Sequence, residues 1–312
     1  MSAKLGVSVV LLVRDEMRTL PAVVNALFSQ EGVNDVEILA IDSGSRDGSR
    51  EYLASSPIRL LEIPSTDFHH SRTRNLGAEV AKGDLVVWLA ADAIPLNRRW
   101  LACLVGPFAN PLVMGAYGRQ VSRLEHGPLQ TFRLSYIYPD RSCTRTRADV
   151  GRGDERAYSF SDVNSCVRRA FWEAHRYPEN IPIAEDVAMA RAIIDTGFAT
   201  AYVAEAVVEH SHDFSPRELF RRYYALGAAF QRIGLGGRGM GPRLGGAGLH
   251  YARREFRWCL RHHGALWASR SAAASLAKAV GYLLGRRQAS LPKSVRRILE
   301  YRPRADATPR PS

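Results

Sequence analysis

GDLVVWLAADAIP, residues 83–95, is the stretch that decides the fold. A turn is favoured at Gly83, and residues 85–89 then form a near-continuous apolar run that is short enough to be a strand. A strand without polar alternation is typical of a sheet that is buried on both faces. Pro95 ends the run, because proline cannot donate to a sheet ladder. The stretch therefore predicts a central strand.

Asp92 lies just past the carboxyl end of this predicted strand. In open α/β sheets, that edge is where ligands bind. A carboxylate there is well placed to hold a hard divalent cation that bridges phosphate oxygens. The alternative is a helix N-cap or a turn, which aspartate also favours. The stretch alone leaves both roles open.

Three earlier apolar runs predict neighbouring strands. VSVVLLV (7–13) is β-branched, VEILAID (36–42) follows a helix that begins near Pro21, and IRLLEIP (58–64) follows a short second helix. Strands that alternate with helical segments are typical of βαβ units. The sequence therefore predicts an α/β fold.

The composition is that of an ordinary globular protein. The chain has 312 residues and is 46% hydrophobic, which suits one large domain with an appendage or two domains. No signal peptide and no membrane-spanning run is apparent, so we expect a protein of the reducing cytoplasm. Four cysteines lie far apart, without zinc-binding or redox spacing: Cys103, Cys143, Cys166 and Cys259.

The formal charge of +12 is concentrated towards the C-terminus. Residues 213–312 contain 20 lysines and arginines against 5 acids, whereas residues 1–212 contain 23 against 26. A basic segment that also carries tyrosines and leucines predicts an anionic partner surface, either a membrane or a nucleic acid.

A loop of small residues, SGSRDG (43–48), follows the second predicted strand. It lacks the GxGxxG pattern of dinucleotide-binding loops and the GxxxxGK[ST] pattern of P-loops. Asp42 and Asp47 flank the loop and could accept hydrogen bonds from a pyrimidine ring or a ribose. Turn formation is the alternative for each of them.

Several motifs together resemble the inverting family 2 glycosyltransferases of the GT-A fold. They are VSVVLLVRDE (7–16), AIDSGSRDGS (40–49) and SRTRNLGAEVAKGDLVVWLAADAIP (71–95). Within that family, FHHSRTRNLG (68–77) and the AADAIP ending most resemble the bacterial rhamnosyltransferase branch. The resemblance implies a mixed, mainly parallel sheet flanked by helices, a nucleotide-sugar donor and a divalent metal, Mg²⁺ or Mn²⁺.

The resemblance also implies donor-binding residues. Asp42 matches the acid that holds the base or ribose, and Asp92 matches the last acid of the family's metal motif. Ala90 departs from that motif, because most members carry an acid there. The implied donor-binding set is Arg14, Glu16, Asp42, Ser43, Asp47, Arg74, Asn75, Ala91 and Asp92.

The last predicted strand, FATAYVAEAVVEHSHDFS (198–215), closes with His210 and His212. Residues at i and i+2 on a strand point to the same face. In some GT-A enzymes a histidine at this place completes the metal shell, so a site of aspartate and histidine would compensate for Ala90. A structural role is the alternative, and the sequence does not choose between the two histidines.

The paired acids Glu185 and Asp186 open a helix that is predicted after Pro182. The helix dipole favours acids there, which explains one of the two. The family's ED motif falls on this pair and implies that Asp186 takes the proton of the acceptor hydroxyl. Glu185 would raise the pKa of its partner. Asp162 and Asn164 resemble the family's acceptor-side segment, with a structural strand as the alternative.

The predicted domains are a GT-A domain (1–214), a basic helical extension (215–302) and a disordered tail (303–312). Within the first domain, residues 123–158 are expected to be irregular. Within the extension, a glycine-rich linker over residues 234–248 is too poor in apolar bulk to fold alone.

Three roles are open for the extension: packing on the catalytic domain, binding to an anionic membrane, or binding to nucleic acid. Each lysine or arginine near an anionic leaflet contributes about 1 kcal/mol. No nucleic-acid-binding motif accompanies the charge. We therefore expect peripheral binding to the inner face of the cytoplasmic membrane and no nucleic-acid partner.

The predicted function is inverting transfer of a hexose from a nucleotide sugar to a hydroxyl of a glycan or lipid-linked acceptor, in cell-surface polysaccharide synthesis. Resemblance to the branch favours L-rhamnose from dTDP-rhamnose, with a UDP-hexose or UDP-galactofuranose donor as the alternative. The rival from another class is a membrane-docked, sugar-binding pseudoenzyme. The pair of acids at residues 185–186 favours the enzyme.

Overall fold

The computed structural model describes residues 5–154, 156–235 and 247–299. Strands and helices alternate through the first two thirds of the chain, as predicted. The strands are β1 (Val7–Val13), β2 (Val36–Asp42), β3 (Arg59–Glu62), β4 (Leu85–Ala90), β5 (Ile94–Pro95), β6 (Val113–Val121), β7 (Cys143–Arg145), β8 (Asn164–Arg168) and β9 (Ala199–Glu209).

Helices flank this sheet and form the C-terminal part of the described chain. They are α1 (Leu20–Phe28), α2 (Ser49–Ala54), α3 (His70–Val80), α4 (Trp100–Val105), α5 (Pro128–Ile137), α6 (Arg147–Gly151), α7 (Arg169–Ala174), α8 (Glu185–Asp195), α9 (Pro216–Arg232), α10 (Ala247–His263), α11 (Ala265–Arg286) and α12 (Lys293–Leu299).

The strands form one mixed sheet in the order β3-β2-β1-β4-β8-β6-β9-β5, and β7 pairs with β9. Strands β1 to β4 are mutually parallel, β8 is antiparallel to both β4 and β6, and β6 is parallel to β9. Strands β1, β2, β4, β6 and β9 therefore direct their carboxyl ends to one edge of the sheet. That edge positions the candidate site.

Strand β4 is buried on both faces, as its apolar run predicted. Val87 and Leu89 contact the core that includes α1 and α4, whereas Val86 and Trp88 contact the core that includes α3 and α8. Pairing with β1 on one side and β8 on the other places β4 inside the sheet.

The middle of the chain is more regular than the sequence predicted. Residues 123–158 were expected to be irregular, but they contain α5, β7 and α6. Pro128 lies in the first turn of α5, where its missing N–H costs no hydrogen bond. Apolar residues in this helix do not repeat at a helical period, so periodicity could not reveal it. Helix α4 is short, and a 3₁₀ turn at Gly106–Ala109 follows it.

The C-terminal helices pack on one another and on the sheet domain. A Cβ on Gly281 or Gly285 of α11 would overlap the carbonyl oxygens of Phe220 and Tyr224 on α9, and Gly227 makes a similar close contact from α9. The two helices therefore approach closely because glycine lines their crossing.

Helix α10 packs against α5. The rings of Tyr251 and Trp258 lie 5.7 and 5.5 Å from that of Phe132, measured between centroids. The packing role that the sequence left open thus applies to α10 as well as to α9. The domain boundary at residues 214/215 stays a prediction.

Two predictions fall wholly or mainly outside the described residues. Positions 236–246 of the predicted glycine-rich linker are not described, and neither is the predicted tail over 303–312. In the part of the chain that the structure describes, no helix combines the length and the hydropathy needed to cross a bilayer.

Candidate active site

Three potential metal ligands meet at the edge of the sheet where β4 and β9 end. Asp92 follows β4, and His210 and His212 follow β9. Nε2 of His212 lies 3.2 Å from Oδ2 of Asp92, and Nε2 of His210 lies 3.5 Å from Oδ1. The two Nε2 atoms are 3.1 Å apart. Among the described residues, this is the group of acids and histidines whose ligand atoms converge, all within 4.8 Å.

The two histidines lie outside the strand to which the sequence analysis assigned them. Strand β9 ends at Glu209, so His210 and His212 lie beyond it rather than on one face of the strand. The sequence left open which histidine approaches Asp92. In the structure both do.

Burial and hydrogen bonding prepare the cluster to bind a cation. Burial lowers the pKa of His210 to about 4. Burial alone would raise the pKa of Asp92, but His210, His212 and Arg123 outweigh it and hold that pKa well below its usual range. A carboxylate beside two imidazole nitrogens is a donor set that fits a divalent metal ion.

Glu16 and Arg123 adjoin Asp92. The pKa of Glu16 is raised to about 7, mainly by burial and then by the charge of Asp92. Nη2 of Arg123, a buried side chain, donates to the main-chain oxygen of Asp92 across 2.6 Å. Ala90 leaves Asp92 as the one acid of the family's metal motif. Glu16, which follows β1, is therefore a second acid near the site.

The second chemical centre lies at the N-terminus of α8. Nη1 of Arg74 donates to Oε1 of buried Glu185 across 2.7 Å, and Nε of Arg74 lies 3.1 Å from Oδ2 of Asp162. Asp186, which is partly exposed, accepts from the main-chain N–H of Val187. Arg74 thus neutralises Glu185 and leaves Asp186 without a cationic hydrogen-bond partner among the described residues.

This arrangement separates the pKa values of two adjacent acids. Burial would raise the pKa of Glu185, but Arg74 and His70 reverse the shift and lower it. The pKa of Asp186 is raised to about 8, by burial first and then by the charges of Glu185 and Asp162. Environments that give neighbouring carboxyl groups such different pKa values are typical of acid–base sites.

Two non-glycine residues with a left-handed backbone conformation each come directly before an acid of the candidate site. Ala184 has φ 69° before Glu185, and Asp15 has φ 52° before Glu16. Side chains disfavour this conformation by about 1–2 kcal/mol per residue. Backbone strain of this kind clusters at functional sites, because the surrounding fold must hold it there.

The predicted nucleotide-binding acids accept hydrogen bonds from main-chain N–H groups of the protein itself. Asp42 is buried and accepts from the N–H groups of Gly44 and Ser45 at 2.9 and 3.0 Å. Asp47 accepts from the N–H of Ser49 at 3.0 Å through one carboxylate oxygen, and from the N–H of Met17, in the loop after β1, at 2.8 Å through the other. These contacts support the turn role that the sequence left open, and a donor contact by either acid stays a prediction.

Two predicted site asparagines make internal hydrogen bonds. Oδ1 of Asn75 accepts from the indole N–H of Trp172 at 3.0 Å. Oδ1 of Asn164 accepts from the indole N–H of Trp100 at 2.9 Å, and its Nδ2 donates to the carbonyl oxygen of Ala206 at 2.8 Å. Such contacts support a structural role for both, so donor and acceptor roles for them stay untested predictions.

The remaining predicted donor residues lie near the end of β1 and β4. Ser43 is buried and donates to the carbonyl oxygen of Val13 at 3.0 Å, and Ala91 is buried after β4. Nε of Arg14 is buried and has no hydrogen-bond partner among the described residues. Of these three, only Arg14 thus offers an unsatisfied polar group to a ligand.

Sequence reasoning missed Gln120, Arg123 and Tyr138. Nε2 of Gln120 donates to the hydroxyls of Tyr138 and Ser161 at 2.8 and 2.9 Å. The charge of Asp186 contributes to the raised pKa of Tyr138, after burial. The sequence around Gln120, VMGAYGRQV (113–121), places a polar residue among apolar ones, and such a residue needs a partner when it is buried.

Comparison with known proteins identifies the family of this chain. Residues 8–163 match the family described as "Glycosyl transferase family 2". The O-antigen chain rhamnosyltransferase RfbN of Salmonella typhimurium is 34% identical over 278 residues, which are 88% of this chain and 87% of that protein. This chain belongs to glycosyl transferase family 2. A second rhamnosyltransferase, WbaN of Salmonella anatum, is 30% identical over 269 residues, 86% of this chain and 85% of that protein.

Solved structures resemble this glycosyltransferase in fold. A mannosyltransferase of Pyrobaculum calidifontis, in complex with GDP-Man and Mn²⁺, has a TM-score of 0.57 at 20% identity and covers 96% of this chain and 84% of its own. Staphylococcus aureus TarS 1-349 with UDP-GlcNAc has a TM-score of 0.55 at 12% identity and covers 91% of each chain. The predicted GT-A fold is thereby confirmed, and the family supports the enzyme rather than the pseudoenzyme.

Proposed function

We propose that this glycosyltransferase transfers L-rhamnose, with inversion, from dTDP-rhamnose to a hydroxyl of a growing cell-surface polysaccharide. Its two rhamnosyltransferase relatives are O-antigen chain enzymes, and they are similar over most of the chain. The observation that carries the proposal is the convergence of Asp92, His210 and His212 at the carboxyl edge of the sheet. A site at that edge suits a nucleotide diphosphate.

We further propose that Asp92, His210 and His212 hold the divalent ion. A bound ion would supply charge stabilisation for the departing diphosphate. Carboxylate oxygens suit Mg²⁺ and Mn²⁺, whereas imidazole nitrogens suit first-row transition metals. The mixed set therefore favours Mn²⁺ over Mg²⁺. Arg123 holds the main chain of Asp92 in place and adds positive charge beside the ligands.

For the donor, we assign the nucleotide to the loops that follow β1 and β2. Arg14 has a buried guanidinium nitrogen without a partner there, and Glu16 adjoins the candidate metal ligands. Hydrogen bonds within the loop of Asp42, Ser43 and Asp47, and one from Ser43 to Val13, hold it in place. In this proposal that loop shapes the pocket for the base and ribose.

Asp186 is the proposed general base. Its raised pKa suits a group that must accept a proton from a hydroxyl near neutral pH. In the transfer, the acceptor oxygen forms a bond to the anomeric carbon, the bond from that carbon to the diphosphate oxygen breaks, and the hydroxyl proton moves to Asp186. Glu185 stays ionised through Arg74 and keeps the pKa of Asp186 high.

A donor panel tests this proposal. Thermal unfolding of the protein with Mn²⁺ is measured with dTDP-rhamnose, UDP-glucose and UDP-galactofuranose, because a ligand of the folded state raises the melting temperature. We expect the largest rise with dTDP-rhamnose. A larger rise with either UDP sugar would assign the alternative donor, and no rise with any of them would contradict the proposed donor site.

For the partner of the C-terminal helices, we propose an anionic membrane surface on the cytoplasmic side, where a lipid-linked glycan acceptor would be presented. Exposed large apolar side chains concentrate in this part of the described chain. Nine of fourteen lie there: Leu249, Phe256, Leu260, Leu266, Leu276, Val280, Leu283, Val295 and Ile298. Soluble proteins rarely expose so many apolar residues in one segment without a partner.

Charge distinguishes the proposed partner. On α10, exposed Leu249, Phe256 and Leu260 follow one face at helical spacing, and arginines at 253 and 257 lie along the same face. Residues 247–299 contain 11 lysines and arginines and one acid, Glu255. That acid is buried against α11. The exposed face is therefore apolar and cationic, as anionic lipid surfaces require.

A further inference from the structure

Gln120, a buried glutamine on β6, faces His210. Its Nε2 donates to the hydroxyls of Tyr138 and Ser161 at 2.8 and 2.9 Å. Its Oε1 lies 3.1 Å from Nδ1 of His210. In the structure, the amide nitrogen therefore faces the two hydroxyls, and the amide oxygen faces the imidazole ring.

This orientation selects one tautomer of His210. An amide oxygen can only accept a hydrogen bond, so the nitrogen that faces it must carry the proton. Nδ1 is therefore the protonated nitrogen, and Nε2 keeps its lone pair. Nε2 is the atom that faces Asp92 and His212. Turning the amide over would place its N–H₂ group against Nδ1 and would move the proton to Nε2.

We propose that Gln120 is a positioning residue that holds His210 in the Nδ1-protonated tautomer and so sets the affinity of the metal cluster. The inference rests on the metal site of the proposed function, but its claim about the tautomer applies to the metal-free protein too. Outer partners of metal-bound histidines typically change metal affinity by about 10- to 100-fold.

The same hydrogen bonds extend towards the proposed base. Tyr138 and Ser161 both accept hydrogen bonds from Nε2 of Gln120. The charge of Asp186 acts on Tyr138. Gln120 therefore lies between the candidate metal cluster and Asp186. It contacts His210 directly, whereas it reaches Asp186 only through Tyr138.

Two substitutions separate positioning from packing. Gln120→Leu removes the acceptor for Nδ1 of His210, whereas Gln120→Glu keeps an acceptor and allows both hydroxyls to donate to it. Gln30→Leu is the matched control. Gln30 also hydrogen-bonds through both ends of its amide, to Asn97 and Leu101 among others, but it contacts none of the three candidate ligands.

The first readout is ¹⁵N NMR of the imidazole rings in the metal-free protein. We expect the Nδ1-protonated form of His210 in the wild type and in Gln120→Glu, and a mixture of tautomers in Gln120→Leu. A wild-type ring protonated at Nε2 would overturn the proposal. Because no metal is present, this result stands even if the proposed metal site fails.

The second readout is Mn²⁺ affinity, measured by electron paramagnetic resonance of free Mn²⁺. We expect about 10- to 100-fold weaker binding in Gln120→Leu and near-wild-type binding in Gln120→Glu and Gln30→Leu. Equal weakening in both Gln120 variants would show a packing role and overturn the proposal, as would unchanged affinity in Gln120→Leu. A wild type that binds no Mn²⁺ would refute the metal site and, with it, the link between Gln120 and affinity.

Discussion

Arg74 and Glu185 form a buried ion pair, with Nη1 of the arginine 2.7 Å from Oε1 of the glutamate. This pair joins α3, which follows the third strand of the sheet, to the first turn of α8. It keeps Glu185 ionised and leaves the adjacent Asp186 as the acid with the raised pKa. A single arginine thus decides which of two neighbouring carboxylates can act as a base.

Without this arginine, the protein should unfold at a markedly lower urea concentration. Arg74→Met leaves Glu185 and Asp162 buried without their cation, and breaking a buried pair in this way costs about 3–5 kcal/mol. Arg98→Ala is the control, because its pair with Glu31 is exposed and contributes at most about 1 kcal/mol. Urea unfolding measures both. Equal effects of the two substitutions would contradict the buried pairing.

Activity should rise with pH through the pKa of Asp186. The base must be ionised, and its pKa is raised to about 8, so kcat/KM is expected to increase up to that region. Asp186→Asn should lose about 10²- to 10⁴-fold in kcat while donor binding stays intact. A rate profile that keeps the same rise in Asp186→Asn would assign the base elsewhere.

The raised pKa of Asp186 should make the folded state less stable as pH rises, whereas activity should increase. In the unfolded chain an aspartate ionises near pH 4, but folded Asp186 keeps its proton until about pH 8. The folded state therefore binds more protons over this interval, and its stability falls as pH rises through it. Asp186→Asn should remove that fall. Melting temperatures at pH 5 and pH 9 measure it, and parallel changes in wild type and variant would contradict the raised pKa.

The exposed face of α10 should control membrane binding. Phe256→Asp combined with Leu260→Asp removes apolar contact and adds negative charge, so we expect at least about tenfold weaker cosedimentation with phosphatidylglycerol-containing vesicles. Pure phosphatidylcholine vesicles should bind the wild type weakly. Leu112→Asp, an exposed leucine before β6, is the matched control. Unchanged vesicle binding with a changed oligomeric state would instead identify the face as a contact between two copies.

The crossing of α9 and α11 should not tolerate a methyl group. Gly285→Ala places a Cβ against the carbonyl oxygen of Tyr224, and such overpacking typically costs about 1–3 kcal/mol. Gly106→Ala is the control, because a Cβ there meets no other atom within 4 Å. Thermal unfolding should separate the two variants. Equal stability would show that the helices are less closely packed than described.

The main strands and the outline of the site could be predicted from the sequence because their signals are local. Apolar runs identified β1, β2 and β4, and Asp92 follows the last of these. Helix α5 could not be predicted, since its apolar residues lack a helical period and its stability comes from packing against β6 and α10.

The polar contacts of the site depend on the folded chain. Arg74 was predicted to bind the donor, and that role stays a prediction. Its partners in the structure, Glu185 and Asp162, lie about ninety residues or more away along the chain. Asn164 was predicted on the acceptor side, yet it bonds Trp100 inside the core. A sequence shows that a polar residue lies in a strand, whereas only the fold shows which groups satisfy it.

The most direct test of the account is a calorimetric titration of Mn²⁺ into the protein in the presence of dTDP. We expect binding by the wild type, and a loss of about 10-fold or more in affinity in Asp92→Ala and in His212→Ala, with Leu112→Ala as the unaffected control. Equal Mn²⁺ affinity in wild type and Asp92→Ala would contradict the central claim that Asp92, His210 and His212 hold the ion at the donor site.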